Sequence, residues 1–408
     1  MSTSYSPKLP TNGLIFQYDK ANTKKSWKGA PTTNMLTNNP TIELQGSGET
    51  ELSTVSYNAV IPFVTPYRYG RYPTEDLDSD GGVSWDADIK DPLGNYGAIL
   101  MRMYPGGNSQ TQVQCYATDM IPLDKTKDHR VSVWCKSTTA NVFRIQLNTT
   151  TDSASNWGLA SGYHSGGGEW ERLGVDIPAD AEHTSINTIR CQGVGTTITA
   201  QAHFKYIQVE ERDFDTPFVD GTRSDTEAIL DLMGNEITVT DLTYTEGDFT
   251  FDGSDDKLSI DSGIPLSNQY VTVAAWVKVD GHGNWHNFIN NNWTNSGWLL
   301  FSSASNWVFG VAQNSVQKLS YLTHNDSTEW THLVGTYDGA SVKLYVNGIA
   351  GTSIDSLTAE LDTGYTIGVG AANRPSAYEM PQASIYNRAL TSTEVLQLFN
   401  TTRGRYGI

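Results

Sequence analysis

Apolar and polar positions alternate at period two along most of this chain. In "GLIFQYD" (13–19), Leu14, Phe16 and Tyr18 stand against Ile15 and Gln17, the spacing of one strand. From residue 98 such runs recur: "AILMRMY" (98–104), "TQVQCYA" (111–117), "HRVSVWCKS" (129–137), "FRIQLNT" (143–149), "EWERLGVDI" (169–177), "TSINTIRCQ" (184–192) and "AHFKYIQVE" (202–210). Turn residues separate them, notably "PGGN" and "SGGGE". A second series opens at 248 and includes "YVTVAAWVKVD" (270–280), "GWLLFSS" (297–303), "WVFGVAQ" (307–313), "EWTHLVGTY" (329–337) and "SVKLYVNG" (341–348). Asp338-Gly339 separates the last two runs and predicts a hairpin. One helix is predicted in "LTSTEVLQLFN". There Thr391 and Glu394 have capping-box spacing, and Val395, Leu398 and Phe399 share a face. Between 34 and 92 the pattern is weak.

Many short strands joined by glycine-rich turns predict an all-β chain of two β-sandwich or jelly-roll domains. The stretch "FVDGTRSDTEAILDLMGN" (218–235) breaks the alternation between the two series and reads as their junction.

Composition narrows the classes. At roughly 150 residues per domain, 408 residues hold two to three domains. Charged residues are 18% of the chain, with 37 Gly, 11 Trp and 20 Tyr, a balance that suits β-rich extracellular or virion proteins. The net charge of −18 repels a phosphate backbone, which argues against nucleic-acid binding, and could support calcium. Cys115, Cys135 and Cys191 lie in strand-like runs without CxxC spacing and read as three buried thiols rather than a disulfide framework or a zinc site. The start "MSTSYSPKLP" has no basic or apolar leader region, and no run approaches a membrane span, so cytoplasmic synthesis outside the general secretory route is expected.

The second series resembles the laminin-G-like, concanavalin A-like lectin sandwich found in many surface and phage proteins. The resemblance rests on "FTFDGSDDKLSI", "VTVAAWVKVDG", "WTHLVGTYDGASVKLYVNG", "YTIGVG" and "IYNRALTSTEVLQL", in that order. Trp276 and Trp330 then read as core aromatics. The family's Gly and acidic residue before the "IYNRAL" strand are replaced by "YEMPQAS" (378–384), with Glu379 displaced and Pro381 intruding, which puts that family calcium position in doubt. The E-x-D-x-x-E strand of the glucanase branch is absent too, so the sandwich reads as non-catalytic.

The first series ends in "FKYIQVEERDFDTPFVDGTR" and starts at "TTNMLTNNP". In this it resembles the carbohydrate-binding-module-like jelly rolls of phage structural proteins. "GLIFQYDKANTKKSW" (13–27) looks like the opening of a laminin-G-like domain, and "ILDLMGNEITVTDLTYTEGDFTFDG" (229–253) like its continuation. The expected organisation is therefore 1–31 as an arm and first strand of the carboxy-terminal sandwich, 32–219 as an inserted jelly roll, and 220–408 as the sandwich proper. An independent amino-terminal anchor is the alternative. Together the resemblances imply a non-enzymatic phage virion protein, assembled in the host cytoplasm and displayed as a decoration or attachment protein. Its partners would be virion proteins, copies of itself and host-surface glycans, with no membrane insertion. A tail-fibre receptor-binding protein or a polysaccharide depolymerase is the alternative.

Candidate sites divide into glycan contacts and cation ligands. "GHGNWHNFINNNWTNSGW" (281–298) crowds Trp285, His286, Asn290 and Trp293 into one loop, where flat rings suit sugar C–H faces and amides supply donors and acceptors. The plainer reading makes the Asn cluster turns and Trp298 core. Tyr163 in "SGYHSGGGEW" is a further glycan candidate, against the reading of that segment as a flexible hairpin tip. Asp252, Asp255 and Asp256 in "FDGSDDK", and Asp78 and Asp80 in "DLDSDGGVSWD", could ligate Ca²⁺, or could be ordinary acidic turns. No Ser/His/Asp spacing, P-loop or dinucleotide fingerprint occurs.

Overall fold

A computed structural model describes residues 9–36, 66–68, 82–103, 111–151, 155–179, 182–193, 199–252, 254–260, 264–279, 285–293, 295–303, 305–323, 328–355, 360–363, 366–370 and 377–408. The chain divides into two compact units: residues 1–31 together with 224–408, and residues 32–223.

The unit formed by both ends of the chain is a two-sheet sandwich. Among the described residues its six-stranded sheet runs in the order Leu14–Asp19, Tyr378–Tyr386, Val271–Val279, Thr331–Tyr337, Val342–Val346, Ile349–Ala350. Its seven-stranded sheet runs Ile237–Thr240, Lys257–Ile260, Ile367–Val369, His286–Asn291, Trp298–Ser302, Asn306–Gln313, Val316–Thr323. The inward positions of both sheets close over one apolar core that includes Phe16, Val273, Ala275, Trp298, Leu300, Phe309 and Ile385.

Leu14–Asp19 pairs antiparallel with Tyr378–Tyr386, Phe16 opposite Ile385 and Tyr18 opposite Ala383. Its free edge is closed by the second half of the junction. The Asp231 carboxylate accepts from Gln17 N at 2.7 Å, Leu232 N donates to Gln17 O at 2.7 Å, and Asn235 Nδ2 donates to Ile15 O at 2.8 Å. Pro381 sits within a central strand, where a missing N–H would ordinarily cost a ladder bond. A bulge resolves this: Trp276 faces Gln382 and Lys278 faces Glu379, so Met380 and Pro381 oppose Val277 alone.

The outer face of the six-stranded sheet lies under the helix Ser392–Thr402, with Ala274, Val334, Tyr345 and Tyr386 packed against Val395 and Leu398. Trp276 is buried on this face, not between the sheets, and its Nε1 donates to Thr402 Oγ1 at 2.8 Å. Trp330 corrects the expectation of a core aromatic. It precedes the strand Thr331–Tyr337, is half-buried, and its ring meets Tyr406 at 5.0 Å. The hairpin at Asp338-Gly339 is built as its residues dictate: Gly339 takes φ +88°, and Asp338 Oδ1 accepts from the Ala340 and Ser341 N–H groups.

The inserted unit is also a pair of five-stranded antiparallel sheets among the described residues. One runs Trp170–Ile177, His129–Ser137, Ala200–Glu210, Tyr96–Met103, Gly82–Lys90, and the other Pro66–Arg68, Thr111–Pro122, His183–Gly193, Phe143–Thr151, Ser155–Ala160. Val131, Val133, Phe143, Ile145, Ile189 and Phe204 fill its core. Cys135 and Cys191 are buried in it, while the Cys115 side chain lies outside the described residues. The strand Gly82–Lys90 takes up residues that had read as part of an acidic turn.

The "FVDGTR" segment closes this unit on itself. Thr222–Arg223 pairs with Thr32–Thr33, which is why residues 220–223 stay with the insert rather than with the sandwich. Asn34 Oδ1 accepts from Val209 N at 3.1 Å. The fully buried Glu210 carboxylate accepts from Thr32 Oγ1, Thr216 N and Thr216 Oγ1.

At the other end of the chain, Thr391 and Glu394 form the predicted capping box. The Arg388 guanidinium, aided by Thr391, holds the Glu394 carboxyl down at about 2. An unfolded Glu titrates near 4.3, so the folded state releases this proton more readily. The stabilisation is therefore full above about pH 4.3 and is lost as pH falls through about 2. Glu394→Gln keeps a capping-box residue but removes the ion pair with Arg388, and is expected to cost up to about 1 kcal/mol at neutral pH. It should also flatten the acid limb of stability between those two pH values, read by chemical denaturation followed by circular dichroism.

Candidate functional site

The outer face of the seven-stranded sheet carries the glycan-contact candidates. Alternation decides which residues reach it. Trp298 and Leu300 point into the core, so Leu299 and Phe301 point out. Registration then aligns two rows across the strands. The first is Asn287, Phe301, Val308, Tyr321; the second is Asn290, Leu299, Gly310, Leu319. Each row begins with an amide and continues with apolar side chains or, at Gly310, none.

An indole lies on each row. Trp285 stacks on Phe301 with centroids 5.5 Å apart and planes 6° from parallel, and it stays 44% exposed. Trp293 is half-buried against Leu299, Phe301 and Val308. Gly310 makes its place: a Cβ there would come within 2.5 Å of the Trp293 ring and 2.6 Å of Leu319 Cδ2. Tyr321 is 58% exposed on the same face. The result is an aromatic platform with amides along one side, an arrangement able to contact an amphipathic ligand through flat rings and directional donors together.

The structure brings Trp285, Asn290 and Trp293 to one face and takes His286 away from it. His286 begins the strand pointing inward, is 2% exposed, hydrogen-bonds Ser302 Oγ at 2.7 Å and lies parallel to the Phe288 ring. Its place in the proposed contact set is corrected for that reason. Tyr163 belongs to the inserted unit, where the Arg144 guanidinium sits 5.0 Å over its ring. Its segment is pinned rather than loose: neighbouring His164 is 1% exposed, and its Nδ1 accepts from Gly166 N at 2.9 Å. Phe301, Gly310 and Tyr321 were absent from the candidate set, because only strand register shows that they share a face with the loop tryptophans.

The acidic candidates part in the same way. Asp78 and Asp80 lie outside the described residues. Asp252, Asp255 and Asp256 converge, each offering a carboxylate oxygen within 4.8 Å of the others. Burial pushes the Asp256 carboxyl up to about 6, and the Asp252 and Asp255 charges add to the shift. Glu379, the displaced acid near the family's calcium position, is bonded to Lys278 Nζ at 3.1 Å beside a cleft of about 260 Å³ lined by Thr250, Val279 and Tyr378.

The inserted unit holds one further polar cluster. Tyr206 takes φ +59°, unusual for an aromatic residue, and its hydroxyl bonds Asp91 Oδ2 at 2.6 Å beside Lys205 Nζ. All three are at most 6% exposed, so the cluster fastens the 91–95 loop to its strand and offers nothing to a ligand.

With the geometry in place, comparison with known proteins defines the class. Residues 252–396 match the family model described as the concanavalin A-like lectin/glucanases superfamily. The carboxy-terminal sandwich is thus a laminin-G-type, lectin-like domain in an all-β chain. A search of curated proteins found no match. Similar solved structures include the botulinum neurotoxin serotype D binding domain, at 20% identity and a TM-score of 0.37 over 45% of this chain and 50% of that one. The binding domain of botulinum neurotoxin DC in complex with rat synaptotagmin II is similar at 14% identity and a TM-score of 0.38, over 44% and 50%. The chain spans about half the length of these structures.

Gly310→Ala tests the platform's construction. The added methyl is expected to displace Trp293, shifting its indole N–H resonance, and to cost about 1–3 kcal/mol, as overpacking does. An unmoved Trp293 resonance would show that the ring does not rest on Gly310.

Proposed function

We propose that this chain is a non-enzymatic attachment protein of a phage virion, displayed among other virion proteins, whose lectin-like sandwich contacts host-surface glycans through the outer face of its seven-stranded sheet. The observation that carries the glycan reading is the pair of registered rows, each with an amide at one end and an indole laid on its apolar part. A sugar presents an apolar C–H face bordered by hydroxyls, which matches a flat ring bordered by amides. The acidic surface favours neutral glycans over sulfated or sialylated ones, since the net charge is −18. The virion assignment rests on the sequence resemblances of both units.

A glycan array on the full chain, followed by calorimetry with the best sugar, tests the reading. Trp285→Ala is expected to weaken binding about tenfold, close to the upper end of the energy of one aromatic contact. Tyr163→Ala, in the other unit, should leave affinity unchanged. Binding that survives the loss of Trp285 and Tyr321 together would remove this face from the proposal. Release of reducing ends by the purified protein would replace attachment with a depolymerase, which needs two carboxylates about 5–9 Å apart. Labelling of intact phage particles with an antibody to this chain tests the location, and unlabelled particles would sink the virion reading.

A further inference from the structure

Five carboxylates are buried among the described residues: Asp19, Asp91, Glu210, Asp231 and Asp256. Asp91 is the one among them that meets a primary amine. Its side chain is fully covered, that of Lys205 is 7% exposed, and Lys205 Nζ lies 2.5 Å from Asp91 Oδ2. The others meet N–H groups, hydroxyls or a guanidinium. Arginine holds a carboxylate as a charge, whereas a desolvated lysine can give up a proton and become a nucleophile. Two buried charges are also costly to keep, since neither recovers its hydration in full.

The backbone departs from strand geometry to build this contact. Adjacent strand residues point to opposite faces, yet Lys205 Nζ and the Tyr206 hydroxyl both reach Asp91 Oδ2. They do so because Tyr206 takes φ +59° and the register with His129–Ser137 shifts between Lys205 and Gln208. An ion pair needs Lys205 alone. The strained residue adds a hydroxyl on the same oxygen, and strain of this kind gathers at reacting centres. Asn95 Nδ2 donates to Tyr206 Oη at 3.1 Å, which leaves the hydroxyl proton to point at Asp91. On the other side, Oδ1 accepts from Leu93 N and Asn95 N, both at 2.9 Å. A nucleophile, a proton donor on one oxygen and two N–H groups on the other are the parts that acyl transfer at Asp91 Cγ requires.

We propose that Lys205 and Asp91 condense into an isopeptide bond inside the folded insert. The Lys205 ammonium first passes a proton to Asp91 Oδ2. Burial favours this transfer, because it leaves two neutral groups, while Lys205, Tyr206 and the Asn95 N–H oppose it by holding the carboxyl below its usual range. The neutral pair is thus a minor form, and the bond forms after folding. The amine lone pair attacks Cγ, and the negative charge moves to Oδ1, where the Leu93 and Asn95 N–H groups hold it. A second proton travels from the nitrogen to Oδ2 through the Tyr206 hydroxyl. The Cγ–Oδ2 bond breaks, Oδ2 departs as water, and the amide keeps the third proton. The step consumes nothing but the two side chains. The bond joins residues 114 positions apart. It stands where the ladder between Ala200–Glu210 and Tyr96–Met103 ends, at Phe204 opposite Ile99. It holds the 91–95 turn beyond the reach of that ladder, and it does not depend on the glycan reading.

Intact-mass spectrometry of the full chain, sampled at intervals after synthesis, tests the proposal. The chain is expected to end one water lighter than its sequence, with a single branched tryptic peptide carrying both Asp91 and Lys205. Lys205→Arg keeps the charge and cannot form the amide, so it should hold its full sequence mass and melt at a lower temperature than the linked chain. Tyr206→Phe keeps the ring and is expected to slow the loss of water about a hundredfold, the lower end of what a positioned proton donor contributes. A wild-type chain that stays at full sequence mass, with Asp91 and Lys205 on separate tryptic peptides, overturns the bond. Loss of water that persists in Lys205→Arg overturns it too, and an unchanged rate in Tyr206→Phe overturns the proton route.

Discussion

The sandwich depends on one strand that the chain makes long before the rest. Leu14–Asp19 lies at the edge of the six-stranded sheet, yet Phe16 and Tyr18 are fully buried, so the core is incomplete without it. An edge strand leaves a row of N–H and C=O groups open. Here residues 230–235 close that row through Asp231, Leu232 and Asn235. The acid at 231 is explained by this duty, since its carboxylate replaces the neighbouring strand that Gln17 N would otherwise need. Lengthening a loop costs little, about 0.6 kcal/mol per doubling, so a folded insert between the edge strand and its cover is affordable when the insert's own ends are paired. The ladder of Thr32–Thr33 with Thr222–Arg223 supplies that pairing.

The two halves of "FVDGTRSDTEAILDLMGN" therefore answer to different units. The first half ends the insert: Val219 N donates to Gln208 Oε1, and Thr222–Arg223 pairs with Thr32–Thr33. The second half begins the return to the sandwich with a short capped helical turn, Asp225–Ala228, before Ile229 bridges to Trp27. Neither half is a loose tether, because each carries hydrogen bonds to residues about 200 positions or a few residues away, according to the unit it serves.

Strand identity was legible in the sequence because it rests on local alternation, and the helix because its cap and apolar face lie within eleven residues. His129–Ser137 matches its expected bounds, and Thr391 and Glu394 form their box. The candidate site was legible only in part. A cluster of Trp and Asn in one loop marked Trp285, Asn290 and Trp293, but the same crowding drew in His286, whose side follows from strand phase and not from proximity in sequence. Phe301, Gly310 and Tyr321 reach the platform through register across three strands, and nothing local announces that. Trp276 shows the same limit: its burial was predictable, while the face it occupies, under the helix, required the tertiary structure.

Two rules of burial separate the aromatic platform of this domain from its acidic turn. On the platform, side chains that could have been covered are held in the open: Trp285 is 44% exposed and Tyr321 58%, each standing on an apolar row that already satisfies packing beneath it. Their exposure adds nothing to the core. In the acidic turn the reverse holds, for a charge that could have stayed in water is drawn in and left with an unmet oxygen. A side chain exposed without need and one buried without a partner depart from the same economy of folding in opposite directions. The sandwich's other buried acids among the described residues, Asp19 and Asp231, have both oxygens satisfied, so Asp256 stands apart from them.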